Sequence, residues 1–193
     1  MAAHVVWPDG KENAPVHIEV CGSSDEILRD GFISTFLKSA PVQALGVVID
    51  ADDAAAGRYD QIRKLNVSSF PALPPALPRE GVVETNAQGK RFGVWIMPDN
   101  ATEGYLELFL RYLVPSSEEA IWQHGVESVT QAVKLGAPIR PAHVGKANLY
   151  TWLAWQDPPG RAPGVALMQR ALDPTSNYAT PFVEWFKRLY ELH

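Results

Sequence analysis

Apolar residues form short unbroken runs in the first half of the chain and fall at helical spacing in the second. Residues 16–21 (VHIEVC) are brief and rich in β-branched residues, which predicts a strand. In residues 25–38, Ile27, Leu28, Phe32, Phe36 and Leu37 share one helical face, with Ser24 placed to cap the helix. Residues 44–50 (ALGVVID) predict a second strand, and Leu45, Val47, Val48 and Ile49 show no polar alternation. That pattern belongs to a strand covered on both faces. A helix is expected over residues 53–65. VVET, NAQGK and RFGVWIM then read as a β-hairpin, with Asn86 and Gly89 supplying the turn. Pro98, Asp99 and Asn100 end the last strand, and residues 104–114 predict a strongly apolar helix. Helical segments follow at 117–135, 146–155, 164–171 and 181–192, parted by Pro- and Gly-rich turns.

Strands alternating with helices imply βαβ units. The expectation is an α/β three-layer sandwich with a mainly parallel sheet, one β-hairpin and a helical C-terminal part. Its length of 193 residues suits one domain, 1–193, with a core over about residues 15–114 and helices over about 115–193. PALPPALP, residues 71–78, reads as an extended surface connection within that domain.

Composition narrows the classes. Hydrophobic residues make up 46% and charged residues 20%, as in soluble globular proteins. No apolar run reaches the roughly 18 residues that cross a bilayer. MAAHVVWPDGKENAP has no signal-peptide pattern, and one cysteine allows no internal disulfide, so a cytoplasmic protein with no membrane contact is expected. A net charge of −5 argues against a broad basic surface for nucleic acid. It leaves room for a narrow acidic site that meets phosphate through a divalent cation.

The acids carry the candidate chemistry. Ligands of open parallel sheets sit beyond the carboxyl ends of the strands. Glu19 lies near the end of the first strand, Asp50 and Asp52 end the second, and Asp99 ends the WIM strand. If those strands are neighbours, four carboxylates converge, and a hard cation such as Mg²⁺ would relieve their repulsion. The bland alternative is capping: Asp52 or Asp53 for one helix, Asp99 or Asn100 for the next. Glu19, inside VHIEV, has no capping role. Glu103 and Glu107 suit either the dipole of a helix first turn or a site. Lys146 is at a helix start, where the dipole disfavours it, so a compensating partner is expected. His4, His17, His124, His143 and His193 show no zinc-binding spacing, and Cys21 reads as a small apolar residue. No glycine-rich nucleotide motif occurs. Trp152, Trp155, Phe182, Trp185 and Phe186 read as core rather than as a base-stacking platform.

The order of Glu19 and Asp50-x-Asp52 resembles the Toprim domain, and GVWIMPDN (93–100), GYLE (104–107) and LAWQDPPG (153–160) resemble an uncharacterised Toprim-like family. Topoisomerases, DnaG-type primases and OLD-family nucleases share that domain. The likeness is closer to an uncharacterised Toprim-like domain-of-unknown-function family, and it spans about residues 16–192. It implies a Mg²⁺-dependent (or Mn²⁺-dependent) nuclease or other phosphodiester-processing enzyme, with nucleic acid or another phosphodiester as partner. Glu19 would be the general acid/base, and Asp50 and Asp52 the metal ligands, joined by Asp99. Glu107, within GYLE, would be a further metal-site carboxylate, and Lys146 would neutralise phosphate charge, as in OLD-type nucleases. The first alternative is a non-catalytic binding or assembly protein on the same scaffold. Its mark would be acids tied up in caps and salt bridges. The second is a haloacid-dehalogenase-like phosphatase, because DADDAAAG resembles that family's strand-end motif, with Asp50 as nucleophile.

Overall fold

A computed structural model describes residues 3–4, 16–65, 70 and 73–192. It is a mixed α/β structure whose chain divides into two compact units, Met1–Leu106 with Thr180–His193, and Glu107–Ala179. Among the described residues no helix is long and apolar enough to cross a membrane.

The first unit is built on a mixed sheet. Its centre is a parallel pair, β3 (Ala44–Asp50) and β5 (Arg91–Met97), in register from Ala44 opposite Arg91 to Asp50 opposite Met97. β4 (Val82–Thr85) runs antiparallel to β5. These three strands have the bounds that their sequence patterns predict. In the hairpin turn, Asn86 Oδ1 accepts the N–H groups of Gln88 (3.0 Å) and Lys90 (2.9 Å), and Gly89 has φ +79°. Two short strands, β1 (Ala3–His4) and β2 (Glu19–Val20), extend the sheet to the order β2-β1-β3-β5-β4. β1 is antiparallel to both of its neighbours, so the sheet is mixed rather than mainly parallel. Of the strand expected over 16–21, the described pairing covers Glu19 and Val20, opposite His4 and Ala3. It lies at the edge, with Ile18 and Val20 exposed.

Helices cover both faces of this sheet. Leu45, Val47, Ile49, Phe92, Val94 and Ile96 share one face, as alternate residues of a strand must. They pack against Ile27 of α1 (Ser24–Ile27), Ile33 and Leu37 of α2 (Phe32–Lys38), and Tyr59 and Ile62 of α3 (Ala55–Lys64). The single helix expected over 25–38 is thus two, because Gly31 adopts φ +80° between them, and the N-cap is Ser23 rather than Ser24. Burial against this layer pushes the Tyr59 hydroxyl up to about 12, opposed by the nearby Arg63 charge. Its O–H donates to the Pro74 carbonyl at 2.8 Å. That carbonyl lies in the proline-rich connection, of which Pro71 and Ala72 fall outside the described residues.

The opposite face holds α8 (Thr180–Tyr190). Sequence alone assigns this helix to the C-terminal helical part, whereas it packs on the sheet. Glycines make that approach possible. A Cβ on Gly93 would lie 2.7 Å from a Leu189 methyl, and one on Gly46 would lie 2.8 Å from Leu189 and from the Tyr190 hydroxyl oxygen. The Trp185 indole N–H donates to Val82 O at 2.8 Å, and Arg91 Nε donates to Leu189 O at 2.7 Å. Trp95 packs against Phe182 and Trp185 with ring centroids 5.4 and 5.8 Å away.

The second unit is helical. Its elements are α4 (Leu106–Arg111, whose first residue closes the first unit), α5 (Glu119–Lys134), α6 (Val144–Ala154) and α7 (Pro163–Met168). 3-10 turns at Ser116–Glu118 and Pro141–His143 lead into α5 and α6. Trp122 and Val129 of α5, with Leu149, Trp152 and Leu153 of α6, are buried. Arg111 pairs with Glu119 at 2.6 Å, and its guanidinium carbon lies 4.6 Å from the Trp122 ring centroid.

Candidate functional site

The carboxyl ends of β3 and β5 lie side by side, and Ala51 N–H donates to Met97 O at 3.0 Å, carrying the pairing one residue past the strands. After Met97 the chain turns through a cis Met97–Pro98 bond to Asp99 and Asn100. Asn100 pins this turn. It is 4% exposed, the one buried polar side chain among the described residues, and has φ +62°. Its Oδ1 accepts Ile96 N–H at 2.7 Å, its Nδ2 donates to Arg79 O at 3.1 Å, and its own N–H donates to Ile96 O at 2.8 Å. Asparagine tolerates the left-handed region better than most side chains.

The acids at this edge each have a protein partner. Asp50 Oδ1 accepts the N–H of Leu106, the first residue of α4, at 3.0 Å. Three donors converge on Asp99 Oδ1: the N–H groups of Ala101 (3.0 Å) and Thr102 (2.8 Å) and the Thr102 hydroxyl (3.0 Å). Asp52 has φ +51° and is bonded both ways to Gly104, N–H to O at 2.9 Å and O to N–H at 2.8 Å. Its carboxylate forms an ion pair with Arg58 of α3, whose other nitrogen donates to Gln61 Oε1 at 3.1 Å. α3 starts at Ala55 because Asp52 is left-handed and Ala54 extended, and its N-cap, Ala54, makes no side-chain cap bond. The capping expected of Asp52 or Asp53 therefore does not occur. The capping expected of Asp99 closes its own turn instead, and it is Asp50 that takes the helix amide. The helix expected over 104–114 is shortened to Leu106–Arg111 because Gly104 is held in the pairing with Asp52.

Glu19 is not brought to this edge. Val20 and Val48 both lie opposite Ala3 in the register, so they project to one face, and Asp50 follows Val48 by two residues. Glu19, next to Val20, projects to the other face and is exposed, two strands away from β3. The expectation that four carboxylates converge fails here, since Asp50, Asp52 and Asp99 share the edge and Glu19 does not. Among the described residues no group of three or more His, Cys, Asp or Glu side chains is placed to hold a metal ion.

In the second unit, Lys146 Nζ lies 4.0 Å from Glu107 Oε1 and 5.9 Å from the Tyr150 ring centroid. The Glu107 carboxylate and the Tyr150 ring face are the compensation that a lysine in the first turn of α6 needs. Nearby, Arg140 and His143 share a 3.0 Å contact. A guanidinium can only donate, so His143 Nε2 is the acceptor of this contact. Trp152 and Trp185 are core residues, as expected, while Trp155 is 45% exposed and stacks on His124 at 5.3 Å. Sequence reading missed Arg58, Gly104 and the buried role of Asn100. The spacing of Asp52 and Arg58, six apart across a turn and a helix start, matches no standard side-chain pairing.

Residues 2–191 match a family model described as "Protein of unknown function (DUF3226)". No curated protein and no solved structure matches the chain. With nearly its whole length covered, the chain belongs to the DUF3226 family.

Proposed function

We propose that this chain is a non-catalytic binding or assembly protein on a Toprim-like scaffold. One observation carries the reading: Asp50, Asp52 and Asp99 are each held by a separate protein donor, namely Leu106 N–H, Arg58, and the Ala101–Thr102 turn. Acids committed in this way stabilise a loop junction by hydrogen bonds and an ion pair. The Toprim-like part of the proposal draws on DxD at the end of β3, beside a parallel neighbour, with helices on both faces. A phosphodiester, nucleic acid first, is the partner class that this scaffold suggests.

A second reading, a Mg²⁺-dependent phosphodiester enzyme, draws on one specific feature. Asp50, Asp52 and Asp99 follow the carboxyl ends of adjacent parallel strands, the usual place for ligands in open α/β sheets. Glu19 lies outside that constellation, and Glu107 and Lys146 pair with each other in the second unit.

Calorimetry separates the two. MgCl₂, MnCl₂ and a short oligonucleotide are titrated into the wild type and into the Asp50→Ala/Asp52→Ala double variant. The first reading expects no saturable heat from either metal at millimolar concentration, with or without oligonucleotide. Saturable metal binding in the wild type that disappears in a folded double variant would overturn it and move the assignment to the enzyme.

A further inference from the structure

The acidic edge carries a cation of its own. Arg58 is in the first turns of α3, and its side chain is only 19% exposed, against 49% for Asp52. Its guanidinium is divided between the Asp52 carboxylate and the Gln61 amide oxygen. Asp52 sits in the left-handed region, where a non-glycine residue persists only if its surroundings hold it. Two features hold it: the paired backbone bonds to Gly104 and the charge of Arg58.

We infer that Arg58 is the resident counter-cation of the Asp50-x-Asp52 turn, filling with a guanidinium the electrostatic role that the Toprim resemblance gives to Mg²⁺. The inference rests on the proposed binding or assembly reading and deepens it, because it makes the turn fold without metal. Arginine suits the role chemically. Its charge is permanent, its planar fork can serve Asp52 and Gln61 together, and it gives up hydration more readily than an ammonium. Lysine would retain the charge but lose the fork.

Thermal unfolding of the full chain tests this with Arg58→Gln, Arg58→Lys, Asp52→Asn and the Asp52→Asn/Arg58→Gln pair, each in EDTA and in millimolar MgCl₂. The wild type should melt at the same temperature in both buffers. Arg58→Gln should melt about 2–4 °C lower in EDTA, Arg58→Lys should recover part of that loss, and the double variant should lose less than the sum of its single changes. If Arg58→Gln and Asp52→Asn both melt with the wild type, the inference fails, while the binding or assembly reading still stands on the calorimetry. If Mg²⁺ instead raises the wild-type melting temperature saturably and Asp52→Asn abolishes the rise, a metal is the counter-cation and both fall. Should Arg58→Gln not fold, Arg58→Lys and Asp52→Asn still probe the pair from its two ends.

Discussion

Replacing Asn100 tests whether the carboxyl edge of the sheet is set by one buried side chain. Asn100→Ala removes the acceptor for Ile96 N–H and the donor for Arg79 O, in a site where the residue is 4% exposed. Each partner left unmade in a buried site costs about 1–3 kcal/mol. Alanine at φ +62° adds roughly 1 kcal/mol of backbone strain. The sum is about 3–7 kcal/mol, a large share of the ~5–15 kcal/mol typical of a domain. Asn100→Gly loses the same hydrogen bonds but relieves the strain, so it should be less damaging by roughly 1 kcal/mol. Urea unfolding monitored by tryptophan fluorescence gives both numbers, provided the dependence on urea keeps its slope across the series. A loss under about 1 kcal/mol for alanine, or glycine worse than alanine, would refute the claim that Asn100 pins the turn.

Other consequences concern the layer beneath α8 and the titration of the core. Gly93→Ala places a methyl 2.7 Å from one Leu189 carbon and 3.1 Å from the Trp185 ring, so overpacking should cost about 1–3 kcal/mol by urea unfolding. Adding Leu189→Ala should cancel most of that penalty, and simple additivity of the two changes would show that the methyl clears Leu189. Tyr59 titrates near 12 in the folded chain against 10.0 when unperturbed. The unfolded chain therefore loses this proton first, so stability is full below pH 10 and falls as pH rises toward 12. Tyr59→Phe should flatten that alkaline fall in a pH series of urea midpoints, and an unchanged slope would show that another group is responsible.

The strands could be read closely because each is a local event. ALGVVID and RFGVWIM are apolar runs without alternation, and the hairpin between VVET and RFGVWIM is dictated by Asn86 and Gly89. What sequence does not show is which distant surface an element meets. The apolar face of α8 announces that it must be buried, but its seat depends on Gly46, Gly81 and Gly93, roughly 90–145 residues earlier, whose missing side chains admit Trp185 and Leu189. GVWIM thus carries in its glycine a packing role that no local pattern reveals. Residues 16–21 show the opposite failure. Their pattern is that of a strand, yet among the described residues the pairing covers Glu19 and Val20 alone, and pairing depends on a partner the pattern does not contain.

The acids illustrate why a site is harder to read than a fold. A carboxylate at the carboxyl edge of parallel strands can be satisfied by a cation or by donors from the loops that leave the same edge. Both solutions place the same residue types at the same spacing, so DADD and PDN look alike in either case. The difference lies in the donors. Here Leu106 offers an amide to Asp50, Ala101 and Thr102 close on Asp99, and Arg58 turns back from α3 to Asp52. Gly104, at φ +134°, lets the backbone approach Asp52 closely enough for two hydrogen bonds. Three carboxylates and one guanidinium still leave the edge net negative, which fits a junction held by hydrogen bonds better than a surface that attracts phosphate unaided. A phosphodiester partner would therefore have to bring its own counter-cation or make its main contacts elsewhere on the chain, so oligonucleotide binding to this protein should strengthen, not weaken, when Asp50 and Asp52 are neutralised.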